Sequence, residues 1–248
     1  MGIRSLHIAT YNIHKGFSQF NRRMMVHELR DRLRSLSPDI VFLQEVQGLH
    51  LGHAHRHPDW PQSAQHHFLA EDVWPATAYG ENMIYDHGHH GNAILSRYPI
   101  LDSHNQDVTH LKFERRGLLH CRIELPDGRL LHCVCVHLSL FGRSRRRQMD
   151  DLSDYLEQLA PAGTPLIIAG DFNDWRNRAA DHLARRLGLV EVFGQQPVRS
   201  FPAVLPLFRL DRIYVRGLKV QEARVHFGPP WSTLSDHAAL TARLAYDA

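Results

Sequence analysis

Leu166-Ile167-Ile168-Ala169-Gly170-Asp171-Phe172-Asn173 is four apolar residues followed at once by a glycine, an acid and an amide. Gly163 and Pro165 stop the helical pattern before it. Leu166 to Ala169 therefore reads as a short buried strand that leads into polar groups. Acids and amides beside a core cost free energy unless a metal ion or hydrogen bonds compensate them. The same arrangement recurs at Thr10-Tyr11-Asn12, after the alternating strand Ser5 to Tyr11, and at Leu43-Gln44-Glu45, after the apolar run from Ile40. It recurs again at Ser235-Asp236-His237, before the closing strand Ala238 to Leu244. Four such clusters at strand ends predict one shared site. Hard oxygen donors and imidazoles suit a divalent metal and a phosphate ester.

Outward from these clusters, Arg22 to Leu36 carries Val26, Leu29, Leu33 and Leu36 at helical spacing, with Ser37-Pro38 as the stop. Arg145 to Ala160 repeats the pattern with Met149, Leu152, Leu156 and Leu159, and Ala179 to Leu187 reads as a shorter helix. Gly91 to Ser96 is a further apolar run. Leu118 to Leu125 and Arg129 to Leu138 flank Pro126-Asp127-Gly128, a hairpin signal. In the second of these strands Cys133, Cys135 and His137 share a face. Phe208 to Val215 reads as another strand. Two strand–helix alternations with antiparallel hairpins between them, and no linker rich in Gly, Ser or Pro, predict a single α/β domain over residues 1–248.

At 248 residues, with 43% hydrophobic and 22% charged, the chain has the composition of a soluble globular protein. Its formal charge of +3 is compatible with an anionic substrate but does not by itself argue for nucleic acid. No apolar stretch approaches the roughly 20 residues that span a bilayer, so no stable membrane insertion is expected. Met1 to Gly16 lacks the apolar run of a signal peptide, which predicts a cytoplasmic protein. Cys121, Cys133 and Cys135 are too few for a disulfide framework and read as small core residues. His50 to His67 holds His50, His53, His55, His57, His66 and His67 without any cysteine or a zinc-like spacing, and reads as an exposed loop.

Seven motifs in order carry a family resemblance. They are Asn12 in Thr-Tyr-Asn-Ile-His-Lys-Gly, Glu45 in Leu-Gln-Glu-Val, Asn92 in Gly-Asn-Ala-Ile-Leu-Ser-Arg-Tyr-Pro-Ile, and His137 in Val-His-Leu. Asp171 with Asn173 in Gly-Asp-Phe-Asn-Asp, Asp211 in Arg-Leu-Asp-Arg-Ile-Tyr-Val, and Asp236-His237 in Ser-Asp-His-Ala complete the set. From about residue 6 to 244 the chain resembles the endonuclease/exonuclease/phosphatase superfamily, the DNase I-like fold. The resemblance implies a four-layer α/β/β/α sandwich, two mixed β-sheets flanked by helices, with the site at one end. It also implies phosphoester hydrolysis with Mg²⁺ or Mn²⁺.

By the same resemblance Glu45 is the leading metal ligand, helped by Asn12 and Asp236. Asp211 holds His237, which either takes a proton from water or binds the phosphate in its protonated form. Asp171 orients or deprotonates the attacking water, and Asn173, two residues on along an extended segment, donates to a non-bridging oxygen. His137 binds phosphate or protonates the leaving group. Asn92 and Arg143 are candidate phosphate contacts, Arg143 as part of a basic rim with Arg145, Arg146, Arg147, Arg115 and Arg116. The place matched to the partner of His137 holds His89 or His90 where the pancreatic deoxyribonuclease has a glutamate. His137 itself argues against the abasic-site endonucleases, and the set looks most like a small bacterial branch. Nucleic acid is the leading expected substrate. A lipid head group or a small phosphorylated metabolite is the alternative.

Overall fold

Two parallel strand pairs organise the chain. β1 (Ile3–Asn12) runs beside β2 (Ile40–His50), and α1 (Val26–Leu36) makes the crossover between them. β7 (Leu130–His137) runs beside β8 (Leu166–Asp171), with α3 (Gly142–Leu159) as their crossover. The computed structural model describes residues 3–50, 52, 56–176, 180–194, 196 and 198–247. β3 (Ala76–Tyr85), β4 (Gly88–Ser96), β11 (Lys219–His226) and β12 (Ala239–Asp247) complete the first sheet, in the order β11-β12-β1-β2-β4-β3. β5 (Ile100–Asp107), β6 (Gly117–Glu124), β9 (Val190–Glu191) and β10 (Asp211–Arg216) complete the second, in the order β5-β6-β7-β8-β10-β9.

Alternation along the strands sends one row of side chains between the sheets and the other toward the helices. Ile8, Phe42, Ile94, Cys121, Cys133, Cys135, Ile167, Ile213 and Leu240 fill the space between the sheets. On the outer face of the first sheet, Val26, Leu29 and Leu33 of α1 pack on Ala9, Tyr11 and Val41, joined by Leu69 of α2 (Gln65–Ala70). On the outer face of the second, Met149, Leu152 and Leu156 of α3 and Leu183 of α4 (Ala180–Leu187) pack on Val134, Val136 and Ile168. Each fully buried aliphatic or aromatic side chain contributes about 1.5–3 kcal/mol. The result is the four-layer α/β/β/α sandwich that the family resemblance implies. All three cysteines are free and buried, and burial raises their thiol pKa values.

Several elements differ from their predicted extents. α1 begins at Val26, not Arg22, because Met24 bridges back to Phe17 and the Met25 N–H is donated to the Gly16 carbonyl. α3 begins three residues early, at Gly142. β10 starts only at Asp211, since Phe208 pairs with Phe201 in a separate bridge. The histidine-rich segment is not simply an exposed loop. His50 ends β2, and His66 and His67 lie in α2, where buried His66 stacks on Tyr79 at 4.8 Å. His57 packs against Phe17 at 5.5 Å. His53 and His55 lie outside the described residues.

Buried histidines give the fold an acid limit. Burial, with His132 alongside, holds His120 down to about 4, and burial with His67 and His89 nearby does the same for His66. In the unfolded chain these rings take up protons near pH 6.5. The stability tied to their neutral forms is therefore complete above about pH 6.5 and is lost as the pH falls toward 4. The urea midpoint is expected to drop between pH 7 and pH 5, and His120→Gln should flatten that drop. A drop that His120→Gln leaves unchanged would show that the fold does not hold this ring neutral.

Candidate active site

The parallel pairs deliver their C-terminal ends to one side of the sandwich. In the second sheet His137 is the last residue of β7 and lies in register with Asp171, the last of β8. Asp211, the first of antiparallel β10, is in register with Asp171 on its other side. Three adjacent strands thus present an imidazole and two carboxylates in a row. Gly170 makes this possible. Its φ is +145°, and a Cβ there would come within 2.0 Å of the Val136 carbonyl oxygen, so only glycine lets β8 lie this close.

Past Asp171 the chain turns. The Asn173 N–H donates to Asp171 Oδ1 at 2.9 Å, Asn173 has φ +48°, and its Nδ2 donates to the Leu138 carbonyl at 2.9 Å. The predicted extended Asp171–Asn173 segment is thus corrected to a turn closed by the aspartate side chain, a local bond that Asp and Asn readily make.

In the first sheet, Asn12 ends β1 and donates from Nδ2 to Asp171 Oδ2 at 3.2 Å, bridging the two sheets. The same amide lies 3.5 Å from Glu45 Oε1. Glu45 does not lie beyond the end of its strand as predicted. It sits inside β2, where the register with β4 shifts between Leu43 and Val46, and its φ is +56°. A non-glycine residue pays about 1–2 kcal/mol for that conformation, and here the strain aims the carboxylate at Asn12. Ser235, after α5 (Trp231–Leu234), donates its hydroxyl to the Asn12 carbonyl at 2.7 Å. That bond fixes the following pair: Asp236 Oδ1 lies 3.2 Å from His14 Nδ1, and His237 Nδ1 lies 2.8 Å from Asp211 Oδ2. Asp171 Oδ2 also faces His137 Nε2 at 3.5 Å and His237 Nε2 at 3.7 Å.

Charge follows from this packing. Burial alone would lower the His237 pKa, but the Asp211 and Asp171 carboxylates override it and raise the pKa to about 10. Burial raises Asp171 to about 6, against the opposing pull of His237. Burial, then the positive charge of Arg116, holds His137 well below its ordinary value. The bond to Asp236 raises His14, while Asp236 stays low because His14 and His237 outweigh its burial. At neutral pH the cluster holds a His237 imidazolium between carboxylates, with His137 neutral.

Among the described residues one tight cluster of acids and histidine could hold a metal, and a second set of candidates lies beside it. Asp171, Asp211 and His237 offer ligand atoms within 4.8 Å of one another. The protonated ring already supplies the positive charge there, so this trio is compensated without an ion. The family resemblance names Asn12, Glu45 and Asp236 as the other set: Glu45 Oε1 lies 3.5 Å from the Asn12 amide, and Asp236 adjoins them through His14 and through Ser235, which bonds the Asn12 carbonyl. Their oxygens are hard donors, and the Glu45 and Asp236 side chains are 20% and 19% exposed, against 2% and 1% for Asp171 and Asp211. Carboxylate and amide oxygens of this kind are the donors that a hard divalent cation takes.

Other expected residues are placed elsewhere. Asn92 is fully buried, and its Nδ2 donates to the Gly117 and Cys135 carbonyls at 3.0 and 3.3 Å. Its donors tie β4 to the second sheet, which corrects the predicted phosphate contact. Arg143 is exposed on the first turn of α3. Arg145, two residues on, turns inward onto the Ser139 and Leu140 carbonyls instead. His89 meets Tyr79 at 2.9 Å and Glu81 at 3.2 Å, so the carboxylate facing His137 comes from Asp171 of its own sheet. Sequence reasoning missed His14 and also Lys15, whose Nζ lies 3.7 Å from Glu45 Oε2. Their only signal was their place two and three residues after Asn12. Phe201 packs 4.9 Å from His237, at the base of a turn that exposes Val204, Leu205 and Leu207.

The sequence pattern of the Endonuclease/Exonuclease/phosphatase family matches residues 9–237, and this chain belongs to that family. Its class is therefore that of the phosphoesterases. Among its relatives, the uncharacterized protein YbhP of Escherichia coli K12 is 46% identical over 244 residues, covering 97% of this chain and 96% of YbhP. The endonuclease/exonuclease/phosphatase from Beutenbergia cavernae shares the fold with a TM-score of 0.77 at 20% identity, over 98% of this chain and 72% of that one. D. rerio TDP2, complexed with single strand DNA product, shares it with a TM-score of 0.68 at 20% identity, over 97% and 98%.

Proposed function

We propose that this chain is a Mg²⁺- or Mn²⁺-dependent phosphodiesterase of the nuclease type. The observation that carries the reading is Asp171 Oδ2, a buried carboxylate oxygen facing Asn12, His137 and His237, with Glu45 Oε1 3.5 Å from the same Asn12 amide. Glu45, Asn12 and Asp236 would hold the ion, which supplies charge neutralisation at the phosphoryl oxygen and the departing alkoxide.

The remaining roles belong to the protein. Asp171 takes a proton from the attacking water as oxygen bonds to phosphorus. Asp211 keeps His237 protonated, and His237 binds a non-bridging phosphate oxygen through Nε2. Neutral His137 gives a hydrogen bond to the phosphate or the leaving oxygen as the phosphorus–oxygen bond breaks, and the departing alkoxide takes its proton from solvent, because a neutral imidazole has none to transfer. Asn173 holds the turn after Asp171 against the end of β7. A diester of nucleic acid fits the cationic wall of Lys15, Arg115 and Arg116 beside Glu45.

Incubation of plasmid and single-stranded DNA with Mg²⁺ or Mn²⁺ tests this, with 4-nitrophenyl phosphate in parallel. Metal-dependent cleavage is expected, weakening steeply as salt rises because the cationic wall competes with counterions. Turnover of the monoester alone would make the chain a phosphatase and end the diester reading.

A further inference from the structure

A cavity of about 430 Å³ starts at Glu45 and opens between two loops. Lys15, His90 and Arg116 line its inner part. Arg116 Nε and His90 Nδ1 are buried there without hydrogen-bond partners. At the outer lip stand Phe113 and Phe141, 66% and 50% exposed, with ring centroids 5.8 Å apart and the planes at 85°. Each ring comes from a different loop, so the pair is not a consequence of local sequence.

Glu114 fixes both loops. This buried carboxylate, adjacent to Phe113, accepts from the Ser139 hydroxyl, from the Leu140 N–H at 3.0 Å and from Arg116 Nη2 at 3.2 Å. Ser139 Oγ in turn accepts from the Phe141 N–H at 3.1 Å. One acid therefore staples the backbones that carry both rings and orients the arginine of the inner wall. Two phenyl rings held rigidly in water bury little of their own apolar surface. Such an arrangement favours a flat apolar ligand at low entropic cost.

The geometry points to a base-stacking subsite for single-stranded nucleic acid: Phe113 and Phe141 take a nucleobase while Lys15, Arg115 and Arg116 face the phosphate that joins it to the scissile diester. This rests on the nuclease reading above and narrows its substrate. Charge complementarity selects a polyanion, and the ring pair selects one whose bases are free. In a duplex the bases are already stacked and offer no face without unstacking. Stacking on aromatic side chains tolerates any base, so the expected preference is for strandedness, not sequence.

The test uses the full chain with Mn²⁺ and three substrates: a labelled single-stranded oligonucleotide, its duplex, and the same strand carrying abasic sugars. The wild type is expected to favour the single strand over both others by kcat/KM, on the order of tenfold or more. In the Phe113→Ala/Phe141→Ala variant both ratios should fall toward one, and Phe113→Trp should keep them. Both positions are exposed, so the variants should fold. Unchanged ratios in the double variant, or equal losses on all three substrates, would overturn the subsite while leaving the nuclease reading intact. A wild type that cuts no oligonucleotide yet hydrolyses bis(4-nitrophenyl) phosphate would overturn the nuclease reading itself. Hydrolysis of phosphatidylcholine vesicles in its place, lost in the double variant, would assign the rings to an acyl chain.

Discussion

His237→Ala is expected to lower kcat by about 10³-fold or more, the scale of removing a preorganised charge at a developing oxyanion. The ring contacts both Asp211 and Asp171, at 2.8 and 3.7 Å, and is the cation that sits between them. Its loss removes the phosphate donor and leaves two buried carboxylates facing each other. Breaking a buried ion pair from one side costs about 3–5 kcal/mol, so a lower Tm should accompany the loss, and rates must be read below that Tm. Asp211→Asn should act through the same ring. Once His237 is alanine, adding Asp211→Asn should change kcat little, because the two residues form one unit. A double variant whose losses multiply would show that Asp211 has a separate task, and wild-type turnover by His237→Ala would remove the ring from catalysis.

Glu45→Gly should separate stability from activity in opposite directions. Residue 45 is left-handed, at φ +56°, a conformation that glycine adopts freely and glutamate does not. Relief of that strain is expected to stabilise the fold by about 1 kcal/mol, less the entropy that glycine adds to the unfolded chain. The same change removes the most open carboxylate of the Asn12–Glu45–Asp236 set, and kcat should fall on the order of 10³-fold. Titration calorimetry with Mn²⁺ should show weaker binding. Glu45→Ala keeps the strain and should lose activity without gaining stability. A Glu45→Gly protein that stays active and binds Mn²⁺ as the wild type does would move the metal to the Asp171–Asp211–His237 trio.

What the sequence made legible divides along one physical line. Every strand inside a sheet left a pattern, an alternation in β1 and largely apolar runs in β2, β4, β6, β7, β8, β10 and β12, because most of their side chains are buried between the sheets or under helices. The strands without a reading are β3, β5, β9 and β11, which stand at the sheet edges. β5, Ile-Leu-Asp-Ser-His-Asn-Gln-Asp, is largely exposed and polar. An edge strand needs polar residues to discourage further pairing, and this erases the periodicity that marks a strand. The site shows the same division. His137, Asp171 and Asp211 owe their places to strand register, although the sequence pattern put Asp211 inside Phe208 to Val215 and not at a strand's start. Glu45, Asn173 and Asn92 depended on a left-handed turn, an aspartate-closed turn and a choice of hydrogen-bond partners, none of which has a spacing signature. His14 and Lys15 gained their places from a short 3₁₀ turn that follows Asn12.

Cys121, Cys133 and Cys135 lie at the centre of the contact between the two sheets. No reagent the size of a peroxide or a disulfide reaches them while the sheets stay together, so in the native protein oxidative damage is a matter of folding equilibrium, not of thiol chemistry. Any opening that frees these sulfurs also bares the apolar core between the sheets. In cells under oxidative stress, cross-linking and precipitation of this chain would therefore arrive as a single event.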